Sequence, residues 1–273
     1  VTSPGWNPSI LWPATSPGWT EPDGSLEIRL GDLVIRSGHV DPPRHGARWV
    51  LRRDGLRGWR TAATDRSSTR QHPSGDGNIV GPPDVEARQL AVSAVLLGAS
   101  AVDVEDALDA LSRLRRTLLQ VAPLDSPLRE SDVRITSVLE TPASPEITNV
   151  TITIVADDPL RYSAQWQTIA NGSNTVINRG GATAWPVIEL VGPHPGATIA
   201  HPGGVWVMPA LAAGVVRTID CRGGAVRNSA GGRLWSQLAS TGPWPRVPPG
   251  GTVWTVSGLG AGTARAKRLE AWA

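Results

Sequence analysis

The sequence predicts a mainly β protein with one long helix, arranged as two β-sandwich domains. Three observations carry this expectation. The 273 residues include 30 Gly and 24 Pro beside 40% hydrophobic residues, so the chain can bury a core but must turn often. That balance suits many short strands better than a helical bundle. A helical period occurs in only one stretch, from Asp103 onward. A β-branched strand at residues 150–156 alternates Val150, Ile152, Ile154 and Ala156 with Thr151, Thr153 and Val155, then stops at Asp157-Asp158-Pro159. Pro159 cannot donate to a strand ladder and pushes Asp158 towards an extended or turn conformation. This strand reads as the last of a first domain in a chain long enough for about two.

Residues 1–24 are rich in Pro, Ser and Trp without periodicity and are expected as an extended arm. Ser3-Pro4-Gly5-Trp6 recurs as Ser16-Pro17-Gly18-Trp19, with Trp12-Pro13 between them. Tryptophan is a favoured interface anchor, so Trp6, Trp12 and Trp19 are expected to dock on a neighbouring subunit or partner. The alternative is that the arm folds back on its own domain.

The first domain is expected over residues 25–159. Residues 26–30 and Leu33–Arg36, around Gly31-Asp32, read as a hairpin. An Arg-rich tract follows, and its Trp49, Arg52, Arg53, Trp59 and Arg60 are interface candidates suited to an acidic partner surface. Residues 61–83 read as a long loop. Leu90, Val92, Ala94 and Leu96 alternate through a buried strand that Gly98 ends. The helix is expected at about residues 103–121, with Val104, Ala107, Leu108, Leu111, Leu114, Leu118 and Val121 as its apolar stripe and Ser100 or Asp103 as its cap. Pro123 ends it. Strands are expected at residues 132–139 and at Ile147–Ala156.

The second domain, residues 160–273, has short apolar runs at residues 175–177, 185–191, Gly204–Met208, 215–219, 252–256 and 264–272, separated by Gly- and Pro-rich turns. Such a rhythm argues for a β-sandwich. Exposed Trp206, Trp235 and Trp244 would be candidates for stacking on sugar rings, although Trp206 lies in an alternating strand where a core role is more common.

No pattern for chemistry stands out. Cys221 is the only cysteine, which excludes an internal disulfide and a multi-cysteine zinc site within one chain. His39, His45, His72, His194 and His201 do not share metal-ligand spacing, and neither a nucleophile elbow nor a phosphate-cradling glycine loop occurs. The paired carboxylates Asp157-Asp158 and Glu105-Asp106 suit a turn and a helix N-terminus. We therefore expect no enzyme, no cofactor and no metal. A net charge of +2 makes no case for sequence-specific nucleic-acid binding, and no apolar run is long enough for a membrane span. Abundant Arg, Ala, Gly, Pro and Trp beside the single Lys267 suggest a GC-rich source such as an actinobacterium or something that replicates in one.

Six stretches carry a family resemblance. They are Trp49 to Trp59, the strand and helix over residues 90–120, and Ala156-Asp157-Asp158-Pro159-Leu160-Arg161-Tyr162-Ser163. Farther on they are Ile177 to Gly192, Arg217-Thr218-Ile219-Asp220 and Pro249-Gly250-Gly251-Thr252-Val253-Trp254. In this order, over most of residues 49–272, the chain resembles the distal tail protein family of long-tailed (siphovirus) phages, also described as siphovirus tail component or minor tail protein. The resemblance implies a tail-tube-like N-terminal β-sandwich with a packed helix and a galectin-like C-terminal β-sandwich. It implies a homo-hexameric ring at the distal end of the virion tail, assembled in the host cytoplasm. Its partners would be the tail tube protein, the baseplate hub or tail-associated protein, and the tape measure protein. Asp157, Asp158, Pro159 and Tyr162 are then expected to set the relative direction of the two domains. The competing expectation is a carbohydrate-binding adhesin acting through the C-terminal sandwich.

Overall fold

The computed structural model describes residues 26–38, 43–61, 65–66, 69–71, 78–80, 84–122, 127–234, 239–241 and 243–273. Among them, the first half of the chain is built on β1 (Glu27–Leu30), β2 (Leu33–Arg36), β3 (Ala47–Arg57), β8 (Arg88–Gly98), β9 (Arg116–Ala122), β10 (Arg129–Ser144) and β11 (Ile147–Ala156). The predicted hairpin is present, with Leu30 opposite Leu33. Gly31, at φ 59°, makes its turn, and a Cβ there would lie 2.8 Å from Thr117 Oγ1. In and just past the expected long loop, β4 (Asp65–Arg66) pairs with β7 (Asp84–Val85) and β5 (Thr69–Gln71) with β6 (Asn78–Val80), forming a nested ladder.

The seven main strands follow the order β11-β8-β3-β2-β1-β9-β10, and β10 pairs back onto β11. The first half is therefore a closed barrel, which corrects the expected N-terminal sandwich. Closure depends on the 16-residue β10. Its first part, Arg129 to Arg134, pairs with β9, and from Arg134 onward it pairs with β11. A register shift between Ile135 and Ser137 bends the strand between those two partners. Alternate residues point inward: Ile28, Leu30, Trp49, Leu51, Leu90, Val92, Leu119, Val150, Ile152 and Ile154 share one buried cluster.

The helix α1 spans Ala101–Ser112, shorter than the predicted 103–121. Ser100 caps it, accepting the Asp103 amide at 3.3 Å, and Val104 and Leu111 face the barrel core. Residues beyond Arg116 form β9 instead, because β1 and β10 both use it as a ladder partner. Leu119 and Val121 satisfy a strand period as well as a helical one, and tertiary pairing decides between them.

The second half holds β12 (Arg161–Ser163), β13 (Gln167–Ile169), β14 (Gly172–Val176), β15 (Val187–Val191), β16 (Ala197–His201), β17 (Gly204–Met208), β18 (Val216–Asp220), β19 (Ala225–Asn228), β20 (Ala239–Thr241), β21 (Thr252–Ser257), β22 (Thr263–Lys267) and β23 (Ala271–Trp272). Two antiparallel five-stranded sheets, β13-β22-β15-β18-β19 and β14-β21-β16-β17-β20, contribute to one buried cluster, as a β-sandwich requires. Trp206 and Trp254 lie in that cluster, 1% and 0% exposed. The expected single run at residues 264–272 breaks at Arg268, whose φ of 59° turns the chain between β22 and β23. Barrel and sandwich are not joined by a bare linker. β12 pairs with β10 and β23 pairs with β12, so the last strand extends the barrel's own sheet.

Candidate functional site: the barrel–sandwich junction

Asp157-Asp158-Pro159 interrupts a single edge. β11 and β12 lie one after the other along the same side of β10, and the chain steps aside between them. Past the step, the neighbour on the outer side changes from β8 to β23. Asp158 holds the step in place. Its Oδ1 accepts the Leu160 amide at 3.0 Å, and its Oδ2 accepts the Tyr162 hydroxyl at 2.8 Å and ion-pairs with Arg222. Arg222 also donates to the Tyr162 oxygen at 2.7 Å, tying the β18–β19 turn of the sandwich to the edge of the barrel. Asp157 is exposed and meets Arg134 at 3.2 Å, a pairing worth little in water, whereas Pro159 is buried.

A second tie lies on the other side of Tyr162. Glu130 of β10 is fully buried between Lys267 at 3.0 Å and Arg268 Nε at 2.6 Å, and Arg268 reaches Asp132 at 2.8 Å. Burial works against the Arg268 charge, but the hydrogen bonds and charges of Asp132 and Glu130 outweigh it and raise its pKa. Its left-handed backbone is fixed by its own amide, which donates to the Ser163 carbonyl at 3.0 Å. A third tie is cationic. Arg88 and Arg161 both donate to the Trp59 carbonyl at 2.9 Å, and Arg161 also donates to the Ala273 carbonyl at 2.5 Å. Burial, then the charges of Arg88, Arg129 and Arg60, pull the Arg161 pKa down to about 10.

Beside the Asp158–Arg222 tie is a cleft of about 630 Å³. Arg116, Asp132 and Arg134 of the barrel line it, as do Asp157 and Asp158 at the step and Arg222 of the sandwich. All three carboxylates already have an arginine partner, so the arrangement fixes orientation and leaves no carboxylate of the cleft unpaired. No group of three or more His, Cys, Asp or Glu able to hold a metal occurs among the described residues. Cys221 is buried and its thiol is pushed up by burial and then by Asp220.

Of the sequence candidates, the structure brings Asp157, Asp158, Pro159, Tyr162 and the Trp59 carbonyl together here. The Trp49 and Trp59 side chains are 6% and 4% exposed and belong to the barrel core, which corrects their assignment to an outer interface. Arg52, Arg53 and Arg60 are exposed. Trp206 is inside the sandwich and presents no free face for a sugar as the stacking assignment requires, while the half-buried Trp244 packs edge-on to it, their ring centroids 4.2 Å apart. Trp6, Trp12, Trp19 and Trp235 lie outside the described residues. Sequence reasoning missed Glu130, Arg161, Arg222 and Arg268. The available signal was Lys267, the single lysine, set beside Arg268 in an otherwise alternating strand.

Tyr162 is the only tyrosine, so its ionisation can be followed without interference from another phenol. Burial, with the Asp158 charge next, raises its pKa well above the ordinary value of about 10. Stability that depends on the neutral phenol is thus intact below about pH 10 and is lost as pH rises towards the native value. In an alkaline titration, tyrosinate absorbance is expected only as the fold is lost. In Asp158→Asn the onset should move to lower pH. Titration near the ordinary value in the folded protein would show that Tyr162 is not buried as described.

No family model matches the sequence, and a search of curated proteins finds no match. Solved structures do share the fold. The Dit protein of phage SPP1, described as a paradigm of the hub adsorption apparatus in phages that infect Gram-positive bacteria, superposes with a TM-score of 0.55 at 17% identity, covering 89% of this chain and 98% of its own. A chain of the phage P2 baseplate in its activated conformation with calcium gives 0.54 at 10% identity, covering 89% and 97%, and the strontium form gives the same values.

Proposed function

We propose that this chain is a structural distal tail protein of a long-tailed phage, whose copies form a hexameric ring joining the tail tube to the baseplate hub. The observation that carries the reading is the end-to-end likeness to a Dit protein and a baseplate chain, which takes in barrel and sandwich together. The junction supports it. A ring built from one half of the chain can carry the other half in a defined direction only if the two are locked, and Glu130, Asp158 and Arg161 supply three separate locks. Ring closure needs a head-to-tail interface, and a stable one buries on the order of 1,000 Å² or more. We assign the ring contacts to the barrel, with exposed Arg52, Arg53 and Arg60 on its surface, and outward projection to the sandwich. Tail tube protein, hub and tape measure protein are the partners this role calls for, and no catalytic step or cofactor is assigned. Electron cryo-microscopy of intact tails is expected to show this chain as a ring at the distal end of the tube. A tail tip without it there would overturn the reading.

A further inference from the structure

The two outer faces of the sandwich differ in kind. On the sheet containing β15 and β22, Glu189 pairs with Arg265 at 2.7 Å, and Arg265 and Lys267 lie over the exposed Trp166 ring. That face is charged and suits water. On the other sheet, the outward positions of β14, β21, β16 and β17 carry only Ser, Thr, Ala and Val. Val205, Val207 and Val253 are 37%, 42% and 51% exposed on it. The register places Val205 beside Ala200, which faces Thr255, and Val207 beside Thr198, while Val253 follows on β21 two residues from Thr255 and faces Thr175. A continuous sheet face with exposed valines and no charge marks a contact surface.

The chemistry of the face selects its occupant. A charged segment laid there would lose water and find no counter-charge, which disfavours it strongly. A neutral segment with aromatic anchors meets no such penalty. Residues 1–20 carry no charged side chain and include Ile10, Leu11, Trp6, Trp12 and Trp19; the first charge is Glu21. They also form the longest stretch outside the described residues. The arm continues into β1 of the barrel, not into the sandwich, and 24 extended residues reach about 80 Å, enough to cross to an adjacent molecule.

We propose that the outer face of the β14-β21-β16-β17-β20 sheet is the docking surface for the uncharged, Trp- and Pro-rich residues 1–20 of a neighbouring copy's arm. The proposal rests on the ring reading, since it needs adjacent copies, but is tested separately from it. Cysteine placed on the face by Val253→Cys or Val207→Cys in the full chain takes a thiol-linked photo-crosslinker, while native Cys221 is buried and unreactive. Unlabelled and ¹⁵N-labelled chains are mixed before illumination, and Glu189→Cys on the charged sheet is the control. Cross-links to residues 1–24 in mixed-isotope pairs, from the two face positions and not from the control, are the expected result. Cross-links within one chain only, to other segments, equally from the control, or none at all each overturn the proposal. Imaging of tails judges the ring independently: a ring without these cross-links rejects the arm docking and leaves the ring standing.

Discussion

Replacing Glu130 with alanine is expected to destabilise the folded chain by about 3–5 kcal/mol, the range for breaking a buried ion pair by removing one partner. The size follows from what is left behind. Glu130 is fully buried, and the Lys267 and Arg268 side chains that neutralise it are 19% and 11% exposed. Without the carboxylate, Arg268 keeps Asp132 and its place over the Tyr162 ring, and Lys267 keeps its place over the Trp166 ring. Urea unfolding followed by tryptophan fluorescence measures the loss. The conservative Glu130→Gln retains acceptor and shape but not charge, and should fall between wild type and alanine. If alanine changes stability by less than about 0.5 kcal/mol, the value for an ordinary surface site, the buried triad is not formed.

The second large effect is expected for Trp206→Ala, at about 3–5 kcal/mol, the usual cost of emptying an aromatic site in a core. The residue is 1% exposed and packs edge-on against Trp244. Its indole nitrogen is buried with no acceptor among the described residues, so Trp206→Phe gives up no hydrogen bond to any of them, keeps an aromatic ring in the core, and should cost much less than alanine. Thermal unfolding of the two variants separates a core residue from a sugar platform. A platform would lose glycan binding with its stability intact, whereas a core residue shows the graded loss.

Local pattern made much of the fold readable. β11 occupies the expected strand, Ile147–Ala156, and the β1–β2 hairpin turns at Gly31-Asp32. The face of β8 that enters the barrel core carries Leu90, Val92, Ala94 and Leu96. What local pattern could not decide was pairing. Leu118 and Val121 fit a helix until β1 and β10 are known to flank them. Barrel closure depends on β10 pairing with β9 along its first part and with β11 along the rest, which leaves no mark on the hydrophobic period. The same holds for the site. Asp158 and Tyr162 are four residues apart and were legible as a junction, but Glu130 meets Lys267 and Arg268 across 137 and 138 residues. Charged side chains joined over such separations look, in sequence, like any solvated residue. Trp49 and Trp59 misled for the opposite reason: set in an Arg-rich tract they suggest an outer surface, while the strand's alternation turns Trp49 inward.

The order in which the junction is completed has a consequence during synthesis. Every strand of the barrel has been made once Ala156 is reached, so that half can close while the remainder of the chain is still being translated. The edge of β12, the strand paired beside Glu130, must then wait. The cations that neutralise Glu130 and the strand that covers β12 all come from residues 267–272, more than a hundred residues later. A nascent chain thus carries an uncovered sheet edge and an uncompensated carboxylate until the sandwich is complete. That negative charge beside an open ladder disfavours premature pairing with another chain, much as charged residues guard exposed edges elsewhere.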